Sequence, residues 1–292
     1  MSANLSSRLL SAGPPLLMPG VFDALAARVV VEAGFEAVYV SGAGVTNAAL
    51  GMPDIGLVTL TELGAQVEAI REVVDVPVVV DADTGFGNAL NVRRTVRALE
   101  RRGANAIQLE DQTFPKRCGH FAGKEVIAAS EMVGKIKAAV DARREDDTLI
   151  MARTDARQAL GLETAIERAG AYREAGADII FVEAPESREE LAEIGRRLPA
   201  PLLANMVEGG GTPIVALDEL SALGFSIVLY ANAALRAAVH GMRSVLGHLH
   251  RHGSTAGVLD RLIGWDERQR LVGKPLFDEL DRRYAPREGD GR

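Results

Sequence analysis

Cysteine is almost missing from these 292 residues: Cys118 is the only one. A single cysteine forms no internal disulfide, and without a CxxC pair there is no thiolate zinc site, so Cys118 is read as a free thiol. Long apolar runs are missing as well. No stretch approaches the roughly 18 apolar residues of a membrane span, and no cationic segment followed by an apolar one marks a signal peptide. A soluble, cytoplasmic protein is the expectation. Basic excess is missing too: 33 Lys and Arg face 40 Asp and Glu, a formal charge of -7. The basic residues are scattered among acidic ones, which gives no footprint for nucleic acid or an anionic membrane and points to a small-molecule partner. There is also no GxSxG elbow, no Walker loop and no metal-ligand spacing among the five histidines. His240, His248, His250 and His252 read as surface or packing residues of a late helix.

What is present is regular. Short β-branched or apolar runs (LLMPG, AVYVS, PVVVDAD, AIQLED, LIMARTD, IIFVEA, PLLANM and SIVLYA) alternate with helix-period stretches such as NVRRTVRALERRG and SREELAEIGRRL. Several of the helical stretches end in glycine, as a helix C-terminus favours. Eight such β-then-α units, with strands apolar enough to be covered on both faces, predict a parallel (β/α)8 barrel of the TIM type; an open doubly wound sheet is the alternative. No linker divides the chain, so residues 1–292 are expected to form one barrel domain, with a C-terminal helical extension over about 254–292 that covers the barrel or swaps onto a neighbouring subunit.

Barrel active sites lie at the C-terminal strand ends. Tyr39 and Ser41, Asp81 and Asp83, Glu110 and Asp111, Arg153 and Asp155, Glu183 and Asn205 occupy those ends. Carboxylates converging on one mouth repel unless a cation neutralises them. Asp81 and Asp83, two apart and so expected on one face of a strand, offer with Glu110 hard oxygen ligands that suit Mg2+, or Mn2+. The competing reading has Asp81 capping the next helix and Glu110 paired with Arg153. Cys118 is either a small buried hydrophobe or a reactive thiol, since Lys116, Arg117 and His120 would favour its thiolate. The polar stretch from Gln112 to Lys124 reads as a long loop above the mouth, with Gly119 and Gly123 as hinges. The run GGGTP at 209–213 is a weak candidate anion loop.

The motifs SGAG (41–44), GMPDIG (51–56), DADTGFGN (81–88), LEDQ with PKRCGH (109–120), ARTDA (152–156), VEA (182–184) and ANMVEGG (204–210) together resemble the isocitrate lyase/phosphoenolpyruvate mutase superfamily over nearly the whole chain. PKRCGH resembles the lid of its branch of 2-methylisocitrate and 2,3-dimethylmalate lyases. The resemblance implies Mg2+ on Asp81 and Asp83, with Asp54 and Glu110 holding its waters. It implies substrate contacts from Ser41, Gly42, Ala43, Gly119, Arg153, Glu183, Asn205 and Arg236, and catalytic roles for Cys118, His120 and Tyr39, the last helping to deprotonate the substrate hydroxyl. It also implies a homotetramer built from dimers that exchange their last helices. Ala43, Val182 and Ala231 depart from the methylisocitrate lyase pattern of glycine, proline and proline. The implied reaction is Mg2+-dependent C–C cleavage of a 2-hydroxy di- or tricarboxylate to a 2-keto acid plus a carboxylate. A carboxyphosphonoenolpyruvate phosphonomutase, an oxaloacetate decarboxylase or hydrolase, and a non-catalytic barrel are the alternatives.

Overall fold

Runs of Val, Ile and Leu with no polar face cannot sit at a sheet surface, so each must be covered on both sides. The computed structural model, which describes residues 4–10, 13–116, 123–199 and 201–285, does this by closing the strands on themselves. β1 (Leu16–Val21), β2 (Val38–Val40), β3 (Val78–Asp81), β4 (Ala106–Glu110), β5 (Leu149–Thr154), β6 (Ile179–Val182), β7 (Leu202–Asn205) and β8 (Ile227–Tyr230) pair in sequence order, all parallel, and β8 pairs back with β1. This is the expected TIM-type barrel, with a strand in each of the eight apolar runs. At the β1–β8 seam a Cβ on Gly20 would lie 1.9 Å from the Ala231 carbonyl oxygen, so only glycine lets the backbones meet there.

The helices between the strands begin at side-chain caps: Asp23, Thr59, Asn88 and Ser187 each accept a backbone N–H of the first turn. In the helix Ala89–Glu100 the buried positions Val92, Thr95, Val96 and Leu99 recur at helical spacing and pack on the barrel's outer wall.

Side chains alternate across a strand. One parity faces the helices; the other fills the barrel with Leu16, Met18, Tyr39, Val79, Ala106, Met151, Phe181, Leu203 and Leu229. Leu5, from the helix Leu5–Leu10, joins that inner cluster. Continuing the inner parity toward the strand ends leads from apolar residues to Asp81, Gln108, Glu110, Arg153 and Asn205, so the rule that packs the barrel also aims its polar groups at one mouth.

The described chain divides into two compact units, Met1–Arg236 and Ala237–Arg292. The second contains helices Trp265–Leu271 and Lys274–Tyr284, with Trp265, Leu276 and Phe277 exposed. The histidines of the helix Ala233–His252 have no buried role, and His248 and His252 stack on each other with ring centroids 4.4 Å apart. Among the described residues no helix is long and apolar enough to cross a membrane.

Candidate active site

At the C-terminal mouth, Tyr39, Ser41, Ala43, Asp54, Asp81, Glu110, Lys116, Arg153 and Asn205 line a cavity of about 40 Å³. Asp81 ends β3, and its carboxylate accepts the Gln108 side-chain amide at 2.9 Å, the Asp83 N–H at 3.2 Å and the Gly42 N–H at 3.4 Å. It caps no helix; Asn88 does that. Glycine at 42 gives the two carboxylates room, since a Cβ there would stand 3.1 Å from Asp83 Oδ1 and 3.2 Å from Asp81 Oδ2 and push them aside.

Strand alternation does not bring Asp83 beside Asp81, as the spacing had suggested. β3 has already ended, and Asp83 sits in the left-handed region at φ 48, so a turn aims its carboxylate. Asp111 is also not at the mouth. Its parity is opposite to that of Glu110, and it faces the helix layer, where Thr154, Arg168 and Tyr172 donate to its carboxylate.

Lys116, which the sequence offers only as a neighbour of the thiol, enters the site itself. The chain leaves β4 along one limb of a hairpin, tied by Thr113 N–H to Glu125 O and Ile127 N–H to Asp111 O, which delivers Lys116 into the site. Its side chain is 3% exposed, and its ammonium lies 2.5 Å from Asp54 and 2.7 Å from Asp83. Burial works against that charge, but Asp83, Glu110, Asp81 and Asp54 hold its pKa well above the lysine range. The cation that the acidic cluster calls for is, in this arrangement, an ammonium.

Burial raises Asp83 to about 7 despite Lys116, with help from Asp81 and Asp54. Burial likewise raises Glu110 well above the carboxylate range against the pull of Arg153, and among the described residues its Oε1 accepts no hydrogen bond. Glu110 and Arg153 do form an ion pair, at 3.5 Å, but Asp155 holds Arg153 more closely. Burial, then Asp81, keeps Tyr39 protonated, and its hydroxyl is 2.8 Å from Gln108 Oε1. Ser41 Oγ caps the short helix Gly42–Val45 through the Gly44 N–H. Asn205 donates to Glu183 at 3.4 Å.

Not every expected residue converges. Arg236 is 57% exposed and donates to the Glu208 carbonyl at 2.6 Å and its carboxylate at 3.3 Å, away from the cavity lining. Cys118, Gly119 and His120 lie outside the described residues.

Among the described residues no three His, Cys, Asp or Glu side chains are gathered around one ion position. A Mg2+ site does not require that, because the ion is usually held by one or two carboxylates and keeps several waters. The donor set here is hard oxygen throughout, and among the described residues Glu110 Oε1 is buried without a partner and Asp83 Oδ1 has an ion pair with Lys116 but no aligned hydrogen bond. Asp81 and Asp83 therefore fit a divalent cation once the ammonium gives way.

A closed parallel barrel whose mouth gathers buried carboxylates, an arginine and a lysine defines a TIM-barrel enzyme site. The profile of the phosphoenolpyruvate phosphomutase family matches residues 5–250, and the chain belongs to that family. It is 49% identical over 277 residues to the 2,3-dimethylmalate lyase of Eubacterium barkeri, covering 95% of this chain and 96% of that one. It is 50% identical over 266 residues to the 2-methylisocitrate lyase of Aeropyrum pernix, covering 91% and 85%. A crystal structure of 2,3-dimethylmalate lyase, described as a member of the PEP mutase/isocitrate lyase superfamily, superposes with a TM-score of 0.92 at 37% identity, covering 99% and 97%. Phosphonopyruvate hydrolase in complex with oxalate and Mg2+ superposes with a TM-score of 0.88 at 32% identity, covering 98% and 100%. The chain is an enzyme of this superfamily, and the resemblance seen in its motifs holds.

Proposed function

We propose that this enzyme is a Mg2+-dependent lyase that cleaves a C–C bond of a 2-hydroxy di- or tricarboxylate of the 2,3-dimethylmalate or 2-methylisocitrate type, giving pyruvate or a related 2-keto acid and a carboxylate. One observation carries the reading: Asp81, Glu110 and Arg153 line a single cavity, with Asp83 and Asp54 bridged by a cation at its edge. An anionic substrate that develops enolate charge needs such a mixed set of acidic and basic groups.

Asp81 and Asp83 would hold Mg2+, with Asp54 and Glu110 reaching it through water, and the ion would supply Lewis-acid stabilisation of the negative charge that builds on the keto acid. Mn2+ would serve the same role. The protein's own groups carry the rest. Arg153 presents a guanidinium to a substrate carboxylate, a charge-assisted fork. Ser41, Gly42 and Ala43 bind the keto-acid end through hydroxyl and backbone donors. Glu183 and Asn205 contact the distal part of the substrate, together with Arg236 if it turns from Glu208. Tyr39, whose proton is engaged by Gln108, offers its oxygen lone pairs to orient the substrate hydroxyl. Glu110, whose Oε1 meets no hydrogen-bond partner among the described residues, takes up that hydroxyl's proton when it is ionised. C–C scission then leaves a carbanion on the departing fragment, which Cys118 protonates while Gly119 and His120 contact the substrate beside it. Trp265, Leu276 and Phe277, exposed on the second unit, support a homotetramer in which the last helices exchange between subunits.

The test is NMR of reactions run in D2O with a panel of 2-hydroxy and 2-keto diacids. Lyase chemistry releases a 2-keto acid and leaves deuterium on the carboxylate fragment. Turnover of oxaloacetate alone, or a new P–C resonance from a phosphonate substrate with no malate cleaved, would move the assignment to a decarboxylase, hydrolase or phosphonomutase.

A further inference from the structure

Arg153 is unusually constrained for a residue meant to meet a mobile ligand. Its Nε donates to Asp155 Oδ2 at 2.8 Å and its Nη2 to Asp155 Oδ1 at 2.9 Å, so one edge of the guanidinium is clamped by both carboxylate oxygens. Its plane lies over the Phe181 ring, 5.1 Å from the centroid. Glu110 and Glu183 approach it only at 3.5 and 3.8 Å. Among the described residues no hydrogen bond uses Nη1, and Arg153 lines the cavity. Clamping the Nε–Nη2 edge decides which donors remain for a ligand.

Asp155 is itself held. It is fully buried, just past the end of β5, and its backbone N–H donates to Asp111 Oδ1 at 2.9 Å. Lys124 donates to its Oδ1 at 2.8 Å, with neither side chain exposed. Burying a carboxylate is costly unless it is paired and hydrogen-bonded, and Asp155 meets both conditions with two cations. A structural ion pair would need only one. The second cation, with the Asp111 contact to the Asp155 backbone, fixes the carboxylate that clamps Arg153.

We propose that Asp155 is a positioning residue that, braced by Lys124 and Asp111, fixes the Arg153 guanidinium with its free edge toward the substrate carboxylate. This rests on the reading of Arg153 as the carboxylate-binding arginine. The two opposing effects of removing Asp155 have opposite signs. As a bystander anion, Asp155 repels a bound carboxylate, so Asp155→Asn would tighten anion binding. As the clamp, its loss frees the guanidinium to rotate and binding weakens.

The probe is oxalate, titrated calorimetrically into the full-length protein at saturating Mg2+, with thermal melts to establish that each variant is folded. Asp155→Asn should weaken oxalate roughly 10- to 100-fold, the worth of a charged hydrogen bond. Because Asn leaves two buried cations facing a neutral group, the double variant Asp155→Asn/Lys124→Met, which removes a matched pair of charges, provides the same measurement in a site of unchanged net charge and should weaken oxalate as well. Arg153→Lys should weaken it too, and adding Asp155→Asn on that background should change the affinity by less than about 3-fold, since contacting residues that act through one another are not additive. Unchanged or tighter binding in both Asp155 variants, with Arg153→Lys still impaired, overturns the inference and leaves the carboxylate role of Arg153 standing. Unmodified protein that fails to bind oxalate, or Arg153→Lys that binds it normally, removes the carboxylate role and the inference with it.

Discussion

Lys116→Met separates the two ways this chain can neutralise its acidic cluster. The ammonium is 3% exposed and bridges Asp54 at 2.5 Å and Asp83 at 2.7 Å, carboxylates that are themselves 9% and 12% exposed. Removing one partner of a buried ion pair costs roughly 3–5 kcal/mol, because the other charge is left buried and unpaired. Asp83 can relieve part of this by taking a proton, its pKa already standing near 7. Methionine returns some apolar packing along the stem, so the low end of the range is the better expectation. At about 2–4 °C per kcal/mol for a domain of this size, the melting temperature in chelator should fall by roughly 6–12 °C. Mg2+ should then reverse the loss. In the unmodified protein the ion must displace an ammonium from Asp83; in the variant it displaces only the proton that Asp83 has taken up. The gain from a ligand at 100 times its Kd is about 2.7 kcal/mol, and tighter binding enlarges it at fixed Mg2+. The assay is differential scanning fluorimetry of both proteins, in EDTA and across a Mg2+ titration. Two results refute the reasoning: equal melting temperatures in EDTA, or an equal rise with Mg2+ in both proteins.

Asp83→Asn should abolish turnover and Mg2+ binding yet keep the circular dichroism of the intact barrel, because asparagine tolerates the left-handed conformation at φ 48. Since burial raises Asp83 to about 7 and the ion requires the carboxylate, apparent Mg2+ affinity should fall about tenfold per pH unit below 7 and level off above it, as calorimetry at several pH values would show. The same raised pKa means the metal-free fold binds that proton more tightly than the unfolded chain does. Asp83 therefore favours the folded state most at low pH, and its contribution is lost as pH rises from about 4 to about 7, a trend that chemical denaturation in EDTA should reveal. Cys118→Ser should lower turnover by about 10² or more, the scale of general acid catalysis, while leaving oxalate affinity near that of the unmodified protein. Normal turnover would return Cys118 to a packing role.

The barrel was legible because its two governing periods are local. Eight β-branched runs separated by helix-period segments admit few closed arrangements, and alternation along each strand carries Asp81, Glu110, Arg153 and Asn205 to the inner side without further information. Alternation also says that Asp111 must face outward, which a plain count of polar strand ends overlooks. What the sequence could not determine begins where the strands stop. Asp83 reaches the site through a left-handed turn, Lys116 through a hairpin limb, and Asp155 binds Lys124 from the chain's return 31 residues upstream. Arg236 turns to Glu208 because a nearby carbonyl and carboxylate satisfy it first. The buried contacts of Lys116 and Lys124 depend on which charges lie within about 3 Å in a water-excluded space, and there Coulomb energies are many times their value in water. The residue types at the mouth follow from periodicity, but whether its buried carboxylates are neutralised by a lysine, an arginine or a metal is decided by distances that exist only once the barrel has closed.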